Sequence, residues 1–521
     1  NSISAANQVT DTCTDDANND IGNYSTWNPL AKGSSATLSN GNLSISNASA
    51  SDSTMSTIAM ASGKWYMEAV VTYSQDFLFS LTSASNYLPN LYTTSNSYTM
   101  YVDTGNTYIK KGNGGSASDT NLTKPASGSD TLQIAYDADA GKVWFGKNNT
   151  WADSGNPSAG SGEQYSSIIG PMVFAWRGAS TSSASSMVAN FGQKSFTYTP
   201  PTGFKALSTA NLSAPTVKDP DDGFVFITLE NGNTIEASLA TARTGWGSFI
   251  DVFKREDTTN EDYDVRFSDD SGNSMHFNTN AAAASEATLA SGVNYSAWSW
   301  RVGSAYGCYT AEISHTNGAT TNQAHGLGSG AKSAVAKRSD STGDWYVSHP
   351  NMSSANIRWN QQDRPSTTEL VTVDGTNITL NSSFASGTYR VIVWEQIDGF
   401  SAFTGYDHNG STTDGPYIDL GGSASLIAWR NIDSSNANDF FATFPSYTSN
   451  GNGNPTDIRY NWNNGEKGFS GITIGDVTAN GYKMRPSSGS GFGKDDGDPM
   501  LVWAWGLRPF GGSGVAQAKV K

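Results

Sequence analysis

The sequence predicts an all-β chain, an N-terminal β-sandwich followed by an array of related β-modules, and three observations carry that prediction. Hydrophobic residues make up only 36% of the chain, yet 11% are aromatic, including 15 Trp. Large rings on pleated strands, with Gly, Ser, Thr and Asn in the turns, suit such a composition. Apolar residues also come in short runs or alternate with polar ones, and helical periodicity is almost absent. Ala281 to Leu289, with Glu286, is the best short helix candidate. The third observation is a recurring phrase: Asp264-Val265-Arg266-Phe267, Asn356-Ile357-Arg358-Trp359 and Asp457-Ile458-Arg459-Tyr460. Repetition at this spacing marks a module used several times over.

Taken in order, residues 1–50 are polar, with Trp27 and Leu30 as their few apolar anchors. They read as an extended lead-in that turns strand-like near Ala36 to Ile45. The first strong strand is Gly63 to Val71. Leu132 to Tyr136, the turn Asp137-Ala138-Asp139-Ala140-Gly141-Lys142 and Val143 to Gly146 form a hairpin. Met172 to Trp176 and Met187 to Phe191 supply further strands. Pro200-Pro201 cannot continue a central strand, so the chain leaves the sheet there. Each later module then shows a strand ending in a basic residue (Lys254-Arg255, Lys337-Arg338, Arg430), the arginine phrase, and a tryptophan strand. Those strands are Ala297-Trp298-Ser299-Trp300, Val391-Ile392-Val393-Trp394 and Leu501-Val502-Trp503-Ala504-Trp505. The predicted boundaries are a lead-in at 1–50, the sandwich at 51–205, a linker at 206–222, and modules at 223–306, 307–400 and 401–521.

Net charge is −16 and the pI is near 4.7. That balance argues against nucleic acid, which is bound by neutralising phosphates, and against anionic membrane surfaces. No apolar run approaches the roughly 20 residues of a membrane helix. Asn1 reads as a processed terminus or the start of a fragment. The two cysteines, Cys13 and Cys308, have no ligand-spaced partners, and two unpaired thiols are favoured over one long-range disulfide.

For each motif a structural role is favoured. Arg266, Arg358 and Arg459 offer a site for an anionic sugar, but a residue present in every copy is better read as an internal tie. Trp503 and Trp505 share one sheet face, which suits sugar stacking but more often makes a core. Asp137 to Gly141 resembles the start of a calcium loop but lacks the later oxygen ligands, so it reads as a turn. Lys494-Asp495-Asp496-Gly497-Asp498 reads as a solvated turn before Pro499. The five histidines (His276, His315, His325, His349, His408) form no motif. No catalytic set, metal-ligand set or cofactor site is predicted, and the ligand-binding residues stay unassigned.

Ser62-Gly63-Lys64-Trp65-Tyr66-Met67-Glu68, Tyr136-Asp137 with Gly141 to Gly146, and Phe191-Gly192-Gln193 with Tyr198 to Phe204 together resemble a SPRY-type (B30.2-like) β-sandwich. The last segment, continuing through Lys205-Ala206-Leu207 to Leu212, is similar to tailed-phage proteins. In those, the sandwich precedes a repeated β-rich domain of uncharacterised function that ends in an aromatic strand. Trp503-Ala504-Trp505 with Arg508-Pro509-Phe510 matches that ending. A laminin-G-like lectin domain often lies ahead in such proteins, and its absence from this sequence fits a cleaved or partial chain.

The resemblance implies a tail fibre or other virion-surface component, structural and adhesive, exposed outside the cell and not an enzyme. It implies no cofactor, no nucleic acid and no membrane insertion. The implied partners are the chain itself (an oligomer, a homotrimer by analogy with fibres), other virion proteins, and a host-surface glycan or envelope protein. SPRY loops vary between members, so no binding residue is carried over. Two alternatives stay open: a secreted filament, surface-layer or adhesin subunit, and an extracellular polysaccharide-degrading enzyme. The enzyme needs two carboxylates about 5 to 10 Å apart.

Overall fold

The structure, a computed structural model, describes residues 22–509 apart from 48–51, 74–75, 87–89, 92, 104–106, 112–114, 117, 179–184, 256–261, 271, 287, 331, 353–355, 362–369, 412–413, 433–439, 444–456, 460–474 and 486–495. Strands dominate, as composition and alternation require. The chain divides into two compact units, Asn1–Ala214 and Pro215–Phe510.

The first unit is a β-sandwich of a seven-stranded and an eight-stranded antiparallel-rich sheet. Lys64–Tyr73 lies inside the larger sheet, between Thr131–Asp137 and Ser185–Asn190. The predicted hairpin pairs Tyr136 with Val143 and Asp137 with Lys142. The segment read as a lead-in supplies three strands, Trp27–Lys32, Ala36–Ser39 and Ser44–Asn47, which pair within these sheets. Trp27 is buried edge-on against Phe191 at 5.3 Å, so these residues close the core. After Pro200-Pro201 the chain returns to the sheet: Lys205–Ala206 runs parallel to Trp65-Tyr66. Buried Glu68 anchors that return, accepting from the Tyr66 hydroxyl and from the backbone N–H groups of Thr197 and Tyr198.

In the second unit three sheets repeat one strand order. The first runs Phe224–Asn231, Asn294–Arg301, Phe249–Arg255, Asp264–Phe267, Asn273–His276, with Ala284–Ser285 beyond. The second runs Cys308–His315, Gly387–Glu395, Lys332–Arg338, Tyr346–Ser348, Ile357–Arg358. The third runs Ser401–Asn409, Asp496–Trp505, Leu426–Asn431, Phe440–Thr443, Asp457–Arg459. In each, the tryptophan strand lies between an edge strand and the strand carrying the basic residue, so it is covered on both sides.

The inner faces meet in one core. Trp298, Trp300, Ile392, Trp394, Trp503 and Trp505 belong to a single buried cluster. Trp300, Trp394 and Trp505, last of each tryptophan strand, form a triangle with ring centroids 5.4, 5.5 and 5.5 Å apart. Burying an indole removes about 150–250 Å² from water, roughly 4–6 kcal/mol each as an upper figure. No sheet completes this core without the other two.

The outer faces differ. In the second module Thr321–Ala324, Asn377–Leu380 and Val371–Val373 form a covering sheet over Ala334, Ala336, Val391 and Val393. Tyr417–Asp419, Gly481–Met484 and Gly475–Thr478 cover Ile427, Trp429, Val502 and Ala504 in the third. The first module carries a helix instead, Ile235–Ala242, whose Ile235 and Leu239 pack on Phe253, Tyr295 and Ala297. Ala281 to Leu289, the expected helix, holds the short strand Ala284–Ser285.

Candidate functional site

Strand register corrects the alignment of the repeat. Asp264–Phe267 pairs directly with the basic strand, whereas Ile357–Arg358 and Asp457–Arg459 lie one strand further out. Arg358 faces Tyr346, Arg459 faces Phe441 and His276 faces Asp264. The first-module counterpart of Asn356-Ile357-Arg358-Trp359 is therefore Ser274-Met275-His276-Phe277. The polar ties confirm this register. Asn278 Oδ1 accepts from Tyr263 N at 3.0 Å while its amide donates to Asp262 at 2.9 Å. Asn360 does the same with Trp345 N at 2.9 Å and Asp344 at 2.8 Å. A four-residue likeness is a local pattern shared by many strands, and hydrogen-bond pairing decides which strands correspond.

The repeated landmarks are internal. Arg358 pairs with Asp344 at 2.8 Å, and against burial, which would raise it, Asn360 and Arg358 hold that carboxyl below its usual range. Arg459's side chain lies outside the described residues. Lys337 donates to Gly343 O of its own module at 2.6 Å and reaches Thr279 O of the preceding module at 3.2 Å. Arg430, its counterpart, donates to Gln361 O, the position matching Thr279, at 3.0 Å. The tryptophan face is core. An equilateral triangle of about 5.5 Å side puts each ring centre about 3.2 Å from its axis, leaving no room there for a sugar or an ion.

The remaining motifs are structural as well. Asp137 pairs with Lys64 at 2.9 Å and accepts from Ala140 N, Asp139 accepts from Gly63 N, and Gly141 takes a left-handed φ of 61°: a tight turn. Asp498 is buried and accepts from Asn431, while Lys494 and Asp495 lie outside the described residues. The histidines stay apart. His276 pairs with Asp262, His315 with Thr321, and His325 with Asp374 O; His408 Nδ1 accepts from Gly410 N. His349 lies edge-on to Trp503 at 4.5 Å, and burial pushes its pKa down to about 3. Cys308 is a free buried thiol that burial holds neutral; Cys13 is outside the described residues. Among the described residues no group of three metal-ligating side chains comes together.

One place breaks the repeat: the outer face that the helix covers. Across the first module's outer face, Ser299, Asp251 and Arg266 sit side by side in register. The same positions hold Val393, Ala334 and Ser348 in the second module, and Ala504, Ile427 and Thr443 in the third. Asp264, on the adjoining row, stands where the sister sheets have Tyr346 and Phe441. The sister sheets, covered by further strands rather than a helix, carry apolar residues at most of these places, whereas here Arg243–Asp251 and Arg266–Glu236 tie the helix to the sheet. Burying them carries a desolvation cost that apolar residues avoid.

The charges are built into a network. Arg266 Nε donates to Asp264 Oδ2 at 2.7 Å, its Nη1 contacts Glu236 on the helix and lies 3.6 Å from Glu286, and its guanidinium stacks on Phe253 at 4.7 Å. Arg243, at the helix end, donates to Asp251 Oδ2 at 3.0 Å. Burial pushes the Asp251 pKa up to about 6, with Arg243 opposing. The Ser299 hydroxyl lies near enough to steady the Asp251 charge but makes no hydrogen bond of good geometry. Asp264 Oδ1 is buried without a protein donor of good geometry, and Asp251 has the Ser299 hydroxyl beside it. No sequence signal singled out Asp251, because its meaning lies in what the sister sheets carry opposite it.

Among solved structures, the chain is similar to the SPRY domain of human HERC1 (12% identity, TM-score 0.25, covering 31% of this chain and 96% of that one). It is similar also to the TRIM65 PSpry domain (10%, TM-score 0.25, 32% and 91%) and to stonustoxin (15%, TM-score 0.24, 32% and 27%). No curated protein matches the sequence. Residues 249–506, just under half of the chain, match the model of a domain of unknown function (DUF7483), a match that opens at the first basic strand and closes just past Trp505.

Proposed function

We propose that this chain is a structural and adhesive component of a tailed-phage particle, a tail fibre or another surface appendage, carried outside the cell. It makes non-covalent contacts with host-surface glycans or envelope proteins, multiplied by copy number, and performs no catalytic step. The observation that carries this reading is the inward turn of the repeat: the tryptophans and basic residues that recur are spent on one shared core. What differs between modules is the loops and the outer faces, the parts a receptor meets. An acidic surface poor in lysine and arginine fits a partner other than nucleic acid. Self-association, as a homotrimer by analogy with fibres, belongs to the same proposal.

Mass spectrometry of gradient-purified virions tests it. The chain should be present at a fixed ratio to other virion proteins, and antibody against it should block attachment. Absence from virions, or presence on uninfected cells as a filament or surface layer, sinks the reading.

A further inference from the structure

We propose that the free edge of the second module's covering sheet, strand Thr321–Ala324, pairs with the same strand of a second copy of this chain. That sheet runs Thr321–Ala324, Asn377–Leu380, Val371–Val373, so Thr321–Ala324 is bonded on one side only. His325 N donates to Thr376 O, which fixes the alternation. Thr321 and Gln323 bond inward to Leu380 and Ile378, while Asn322 and Ala324 turn their N–H and C=O groups outward. Both of these residues are exposed. Ala324 O receives the Gln323 amide at 3.1 Å and keeps its second lone pair.

Water answers these groups in a lone copy. What marks the edge is the lack of the guards that sheets place on their edges, namely proline, charge or a covering group. The same sheet's other edge, Val371–Val373, is closed by Asn356, which accepts from Val371 N at 2.8 Å and donates to Val371 O at 3.0 Å. In the third module the corresponding edge strand, Tyr417–Asp419, follows Pro416 and carries Asp419. Its far edge, Gly475–Thr478, carries Asp476, paired with Arg485. Thr321–Ala324 has no such guard among the described residues, and between Glu312 and Lys332 the sequence holds no proline, carboxylate, lysine or arginine.

Charge names the occupant. At net −16 two copies repel, and contact costs least where neither presents a carboxylate. A basic partner finds no carboxylate on this edge and an acidic one finds no cation, so the strand that fits is as uncharged as this one. Such a strand pairs with itself antiparallel about a twofold axis. Centred on Gln323, Asn322 faces the partner's Ala324, and the two three-stranded sheets become one continuous sheet. The contact goes beyond the virion reading and joins copies in twos, where the analogy with fibres gives threes.

Sedimentation velocity of the full chain over a wide range of concentration decides it, with hydrogen exchange read at both ends of that range. Copies should associate reversibly into dimers, and the Asn322 and Ala324 amides should exchange more slowly in the dimer than in the monomer. Ala324→Lys sets a charge on an exposed position, and Ala324→Pro removes an outward N–H. Each should weaken dimerisation roughly tenfold or more while melting as one folded species. Should the proline variant fail to fold, Ala324→Lys serves alone. A chain monomeric throughout, a trimer, a dimer without slowed exchange at Asn322 and Ala324, or a dimer that a folded variant leaves unchanged each overturns the assignment. So does a foreign peptide held at this edge by a chain that does not self-associate. The assignment and the virion reading fail separately: dimers of a chain absent from virions support the contact and reject only the phage role, and trimers counted in virions do the reverse.

Discussion

Burial sets what single side chains do in this protein. His349 shows it most plainly, being a titratable ring placed against Trp503 where the first module has Phe267. In the unfolded chain its imidazole takes a proton below about 6.5, but the folded site resists until about 3. The unfolded state therefore binds more protons in that window, so the stability tied to this residue is complete above 6.5 and drains as pH falls toward 3. His349→Phe should flatten the acid limb of a melting-temperature profile between those values. A modest loss at neutral pH should accompany it, since Val502 O and Asn351 N lose their partner. An acid limb as steep as the parent's contradicts the placement. At this scale much was legible: Arg266 and Arg358 as internal ties and Trp503 with Trp505 as core follow from residue type and alternation. Asp251 was not, since an aspartate in a strand looks like any solvated aspartate until its neighbours are known.

Among the elements, the strands announced themselves and the covering layers did not. Gly63 to Val71 and the three tryptophan strands are long, apolar and aromatic, so their period shows. The first module's helix carries its signal in Ile235 and Leu239, four residues apart, with Gly245 beyond as a stop. Ala281 to Leu289 has more alanine and competed for the assignment, but pairing of Ala284–Ser285 with Asn273-Ser274 wins over weak helix propensity. The phrase Asp264-Val265-Arg266-Phe267 misled for a related reason: it matches its sisters in residue type while occupying a different strand. Leu239 is fully buried under this helix, so Leu239→Ala should cost about 2–5 kcal/mol in urea unfolding. The same variant should loosen Arg243 from Asp251. A cost under about 0.5 kcal/mol means the helix does not cover the sheet.

For the whole molecule, three sheets sharing one tryptophan core make a unit that cannot melt one module at a time. A linear array of modules would keep each repeat's core to itself and its nearest neighbours. Here Trp505 touches both Trp300 and Trp394, so first and last modules meet as closely as consecutive ones. The sequence held the three landmarks but not their convergence, because period and spacing carry no information on where sheets turn. The most direct measurement is amide hydrogen exchange on Trp394→Ala. Removing this ring should cost about 3–5 kcal/mol and lower protection together in Asn294–Arg301, Gly387–Glu395 and Asp496–Trp505. Loss of protection confined to Gly387–Glu395, with the other two tryptophan strands unchanged, would contradict the shared core.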